Sequence, residues 1–176
     1  MRRRMEQWSL GLTACDGDYA YFSNGAESID GEGFFRAWFG SVEEWRCPAG
    51  AGRRVVADPW ARDGRAMLSP NEVSCPPSPT YLYPPGDYRL TFYIRPASAE
   101  PCGVDVLVKL TDPDTGRDLD APRVDVGGVT PESYTGIEVP FAAPRPFLMS
   151  FVLTSDAPFF FDSCVVEGTH YNIEGI

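Results

Sequence analysis

The sequence is poor in the residues on which most enzymes and metal sites depend. Its single histidine, His170, excludes the histidine pairs that hold many metals, and leaves no evident general base for a serine or cysteine nucleophile. A GxSxG elbow, a glycine-rich phosphate loop and an HExxH helix are also missing. Lysine is equally scarce: Lys109 is the one lysine among 15 basic residues, which face 25 acidic ones for a net charge of −10. An acidic surface repels phosphate backbones and anionic lipid, which argues against nucleic-acid and membrane-surface partners. No run approaches the ~18 apolar residues of a membrane span, so no insertion into a bilayer is expected. The start, Met1-Arg2-Arg3-Arg4-Met5-Glu6-Gln7, is basic but has no apolar stretch behind it. A secretion signal is therefore not expected, and synthesis in the cytoplasm is. The five cysteines (Cys15, Cys47, Cys75, Cys102, Cys164) are odd in number and lack CxxC spacing. They read as buried free thiols rather than a metal cluster or a disulfide framework.

Glycine and proline, by contrast, are plentiful at 17 each, and both recur between short apolar runs along the chain. Because both disfavour helix interiors, this punctuation predicts an all-β protein. The 176 residues suit one domain spanning 1–176, with 1–15 as an N-terminal arm and first strand and 169–176, including His170, as a tail. The clearest strand runs over 87–96, where Tyr88, Leu90, Phe92 and Ile94 alternate with Arg89, Thr91, Tyr93 and Arg95. Further strands are predicted over 104–111, 123–126 (closed by Gly127-Gly128), 133–141, 145–155 and 159–167, with a tight turn at 112–116. Earlier strands are expected over 8–13, 19–22, 34–39, 53–57 and 65–68, and one helical turn over 41–46. The whole predicts a two-sheet antiparallel β-sandwich.

The segment Pro85-Gly86-Asp87-Tyr88-Arg89-Leu90-Thr91-Phe92-Tyr93-Ile94 and the later Phe160-Phe161-Asp162-Ser163-Cys164-Val165-Val166 have a recognisable strand grammar. So do Phe22-Ser23-Asn24-Gly25-Ala26-Glu27 and the following Phe34-Phe35-Arg36-Ala37-Trp38-Phe39-Gly40. Together they resemble the jelly-roll carbohydrate-binding modules of the galactose-binding-like type, over roughly residues 20–168. The resemblance implies a jelly roll, no catalysis and a carbohydrate partner. It also implies that the face of the 87–96 strand opposite the core lines a cleft, and that a structural calcium sits between an N-terminal loop and the last strand. The long Pro- and Arg-rich stretch 47–79 departs from that pattern.

Sugar C–H faces stack on indole and phenol rings, while sugar hydroxyls need planar polar partners beside those rings. Trp38, Trp45 and Trp60 lie close in sequence to Arg36, Asp58 and Arg62, and Tyr93 lies between Arg89 and Arg95. These nine residues are the candidate ligand contacts; the alternative for each tryptophan is an anchor in the core or a loop. Tyr81 and Tyr83 form a further rim or pack against the neighbouring prolines. Asp16, Asp18, Asp30 and Glu32, with Asp162, have the oxygen chemistry that calcium prefers, although Asp-Gly is also the sequence of a plain turn. The expected function is non-catalytic binding of a carbohydrate or cell-surface polysaccharide. The rival reading is a structural protein of a phage-like particle, a homo-oligomer or particle partner that itself grips a surface polysaccharide at the virion surface.

Overall fold

A computed structural model describes residues 20–21, 34–39, 54–62, 64–75, 83 and 85–170. Every regular element among them is a strand, and no helix there is long and apolar enough to cross a membrane. In chain order the strands are β1 (Ala20–Tyr21), β2 (Phe34–Phe39), β3 (Arg54–Ala57), β4 (Arg65–Ser69), β5 (Glu72–Cys75) and β6 (Gly86–Pro96). There follow β7 (Cys102–Thr111), β8 (Asp118–Asp120), β9 (Arg123–Val129), β10 (Thr135–Ala143), β11 (Leu148–Ser155) and β12 (Phe159–His170).

These strands form two antiparallel sheets. In the first, β12 is central: β6 pairs along one edge of it, with β10 beyond, while β4 and β2 share the other edge and carry β3 and β1. In the second, β11 lies between β5 and β7, and β7 pairs on its far side with β8 and β9. From β4 onward most connections cross between the sheets, as in a jelly roll. The β4–β5 crossing is a tight turn in which the Ser69 hydroxyl donates to the Glu72 carbonyl and accepts from its N–H.

Alternation of side chains builds the core. Tyr88, Leu90, Phe92 and Ile94 of β6 point inward, as do Val104, Val106, Val108 and Leu110 of β7 and Met149, Phe151 and Leu153 of β11. Phe92 meets Phe151 edge to face across the sandwich, with ring centroids 5.0 Å apart. Full burial of each such side chain contributes roughly 1.5–3 kcal/mol, so this facing layer dominates the stability. Cys102 and Cys164 are buried free thiols, and burial pushes the Cys164 thiol up in pKa. Tyr83 is buried and stacks on Phe147 at 5.2 Å, so it forms no rim and packs in the core against a phenylalanine, where the neighbouring prolines were the expected partners.

Several boundaries differ from the sequence expectation. β12 runs on through Gly168 to His170, which pairs in register with Gly86; His170 is a strand residue, not part of a tail. β9 continues through Gly127-Gly128 to Val129, because Gly128 adopts φ +74° and carries the chain past a register shift instead of ending the strand. The strand expected from 145 begins at Leu148, after the isolated bridge that pairs Phe147 with Tyr83. The short strands β5 and β8 had no prediction; at three or four residues they are too brief to show a period. The strand expected over 8–13 and the helical turn over 41–46 lie outside the described residues.

Candidate functional site

The outer face of the first sheet positions the site. The residues of β6 between the core positions, Arg89, Thr91, Tyr93 and Arg95, all point to this face. In β12 a one-residue bulge at Asp162 changes which residues join them: Phe161 pairs with Ile94 and Ser163 with Tyr93, which leaves Asp162 unmatched. The bulge reverses the alternation, so Phe159 and Phe161 face inward before it and Cys164 and Val166 after it. Phe160 therefore lies on the outer face beside its register partner Arg95.

Arg95 is the centre of one end of this face. Its Nη2 donates to Asp58 Oδ2 at 2.7 Å, and the hydroxyl of Tyr134, just before β10, donates to the same oxygen at 2.7 Å. Asp58 Oδ1 accepts from the Trp60 N–H at 3.0 Å. The Arg95 guanidinium carbon lies 4.5 Å from the Phe160 ring centroid and 5.5 Å from those of Trp60 and Tyr134. Three rings thus surround a cation whose charge is met by a carboxylate only 3% exposed. Burial opposes ionisation of Asp58, but the hydrogen bonds from Arg95, the Trp60 N–H and Tyr134, with the Arg95 charge, outweigh it and hold the carboxyl below its ordinary value. Burial, and then the hydrogen bond to Asp58, pushes the Tyr134 hydroxyl the other way, far above the usual tyrosine range. Trp60 is 58% exposed and is the only large hydrophobic side chain so exposed among the described residues.

Further along the face, Tyr93 is half-buried and stands opposite Gly136 of β10. A β-carbon at Gly136 would lie 3.3 Å from Tyr93 Cε1 and 3.0 Å from Thr91 Cγ2, so the missing side chain is what lets the Tyr93 ring lie down across β10. At the other end, Arg89 Nε donates to Glu167 Oε2 at 2.9 Å, with half of the arginine side chain exposed. Glu167 is also the register partner of Arg36 in β2, and Val165 that of Trp38.

The structure brings Asp58, Trp60, Arg95, Tyr93 and Arg89 to one sheet face and its rim. Arg62 follows Trp60 in the same loop, where its N–H donates to Asp162 Oδ1 at 3.2 Å. Arg36 and Trp38 are placed by register alone, and Trp45 lies outside the described residues. Sequence reasoning missed Tyr134, Phe160, Gly136 and Glu167. Tyr134 was within reach, since it has the same parity as the outward positions of the strand it precedes; Phe160 was not, because the bulge at Asp162 is invisible in the pattern.

Of the calcium set, Asp16, Asp18, Asp30 and Glu32 lie outside the described residues. Asp162 is buried and both its oxygens are engaged, Oδ1 by the Arg62 N–H and Oδ2 by the Ser163 hydroxyl at 3.0 Å. Asp162 is the one described member of that set, and among the described residues no group of three or more His, Cys, Asp or Glu could hold a metal.

No family model and no curated protein matches the sequence. Solved structures do match in shape. The CBM22-1 xylan-binding domain from Paenibacillus barcinonensis Xyn10C superimposes with a TM-score of 0.52 at 13% identity, covering 84% of this chain and 92% of that one. The tandem CBM22-1–CBM22-2 domain of the same protein gives 0.54 at 13% identity, covering 92% of this chain and 48% of that one. These modules and this chain share one fold, a two-sheet antiparallel jelly-roll β-sandwich. The CBM22-1–GH10 portion of Clostridium thermocellum endo-1,4-beta-D-xylanase 10B, solved with xylohexaose, gives 0.52 at 17% identity over 74% of this chain. The chain spans only 27% of that structure's length. At these identities the modules share a scaffold with this chain, and a shared scaffold does not carry a ligand with it.

Proposed function

We propose that this protein binds a polysaccharide without cleaving it, through the outer face of the first sheet and the Trp60 plate at its rim. The observation that carries the reading is Trp60 itself: a large, mostly exposed indole backed by a buried ion pair. Exposing such a ring to water is unfavourable, and a flat ring with polar neighbours suits a sugar's C–H face and hydroxyls together. Tyr93, Arg89 and Glu167 continue the face with a second ring and a guanidinium–carboxylate pair. Xylan binding by the module of similar shape supports the same class of partner.

Affinity electrophoresis in gels cast with xylan, galactan or mixed-linkage glucan tests the proposal. At least one polysaccharide retards the native protein, Trp60→Ala abolishes the retardation, and no reducing ends appear. Unretarded migration in every gel, or release of reducing sugar, overturns it.

A further inference from the structure

The loop that carries Trp60 is tied down at more points than closure of a hairpin requires. Between β3 and β4 the backbone closes on itself through Asp58 N to Gly64 O, Ala61 N to Asp58 O and Gly64 N to Ala61 O, at 2.9–3.1 Å. Two buried carboxylates then fix the residues on either side of Ala61. Asp58 takes the Trp60 N–H, and Asp162, a hundred residues away in β12, takes the Arg62 N–H. The bulge in β12 is what brings Asp162 to the loop, since it takes this residue out of the pairing register and changes the direction of its side chain. The indole is held separately, over the Arg95 guanidinium, and that guanidinium is held by Asp58. The Arg95 side chain is only 16% exposed, and its Nε is buried with no acceptor among the described residues. An arginine serving as a sugar contact would turn its donors to solvent; this one gives Nη2 to Asp58 and buries Nε.

We propose that Asp58, Arg95 and Asp162 are positioning residues that hold the Trp60 indole in one pose and act on a glycan only through it. This rests on the carbohydrate reading above, but the pose can be read without a glycan. A ring already fixed loses little freedom when a sugar stacks on it, whereas a swinging ring must first be ordered. Releasing one side chain of this kind weakens binding about three- to tenfold.

The experiment uses the full chain labelled with 5-fluorotryptophan. Its four tryptophans give four fluorine resonances, and the one missing from Trp60→Phe is assigned to Trp60. Asp58→Asn, Arg95→Ala and Asp162→Asn are expected to shift and sharpen that resonance as the ring becomes mobile, and to weaken polysaccharide binding about three- to tenfold. Arg123→Ala, on the other sheet, leaves both unchanged. Millimolar ethylguanidinium, which refills the space between the three rings, restores the resonance and the affinity of Arg95→Ala, a rescue that global destabilisation does not give. Should a substitution prevent folding, Tyr134→Phe, which removes one hydrogen bond from Asp58 and keeps the ring, shows the same shift in smaller degree. A Trp60 resonance unmoved by Asp58→Asn and Arg95→Ala overturns the proposal. So does a mobile Trp60 with undiminished affinity. If the native protein binds no polysaccharide, the carbohydrate reading fails, and the resonance alone decides whether these residues hold the ring.

Discussion

Two arginines on the same face of β6, six positions apart, each pair with a carboxylate, yet they belong to different physical regimes. Arg89 reaches Glu167 at the surface, with half its side chain in water. Arg95 reaches Asp58 beneath three rings, with little of either group exposed. Water and salt screen the first pair, so it contributes little to stability. The second pair has lost its hydration and depends on its geometry: intact it is tolerated, and broken it leaves a buried charge unmet. The contrast shows that an arginine–carboxylate pairing acquires its role from the depth at which it sits. One end of the face is adjustable, and the other is fixed.

Breaking the buried pair tests this contrast most severely. Arg95→Met strands the Asp58 carboxylate and is expected to cost about 3 kcal/mol, read as a lower urea midpoint with an unchanged m-value. Asp58→Asn gives a smaller loss, about 2 kcal/mol at neutral pH, with a characteristic pH dependence. Because the fold lowers the Asp58 pKa, the stability it contributes is complete above the unfolded value of about 3.9 and disappears as pH falls through the lower folded value. The gap in Tm between the native protein and Asp58→Asn should therefore be constant near neutrality and close only below about pH 4. Arg89→Ala, by contrast, should leave the urea midpoint nearly unchanged, and more nearly still in high salt. Gly136→Ala sharpens the comparison further. The added methyl would meet Thr91 Cγ2 at 3.0 Å and Tyr93 Cε1 at 3.3 Å, both on the outer face, so polysaccharide affinity should fall about threefold while Tm drops less than in Arg95→Met.

Much of the fold was legible because β6, β7 and β11 alternate cleanly, and alternation is a direct record of which side of a sheet is dry. Tyr93 and Arg95 were placed on the outer face for the same reason. The end of β12 was misjudged because Gly168 has the sequence of a stop, while pairing along β6 carries the strand two residues past it. The inner workings of the site were not legible. The contact between Asp58 and Arg95 spans 37 residues and that between Arg62 and Asp162 spans 100. Neither distance leaves a local signature, and the bulge that aims Asp162 breaks the very period by which strands are read.

The most direct test of the central claim is a calorimetric titration of native protein and Trp60→Ala with a soluble polysaccharide, alongside melting curves for both. Because Trp60 is mostly exposed, its removal should leave the melting temperature nearly unchanged while lowering affinity at least about tenfold. Equal affinity in the two proteins would contradict the account.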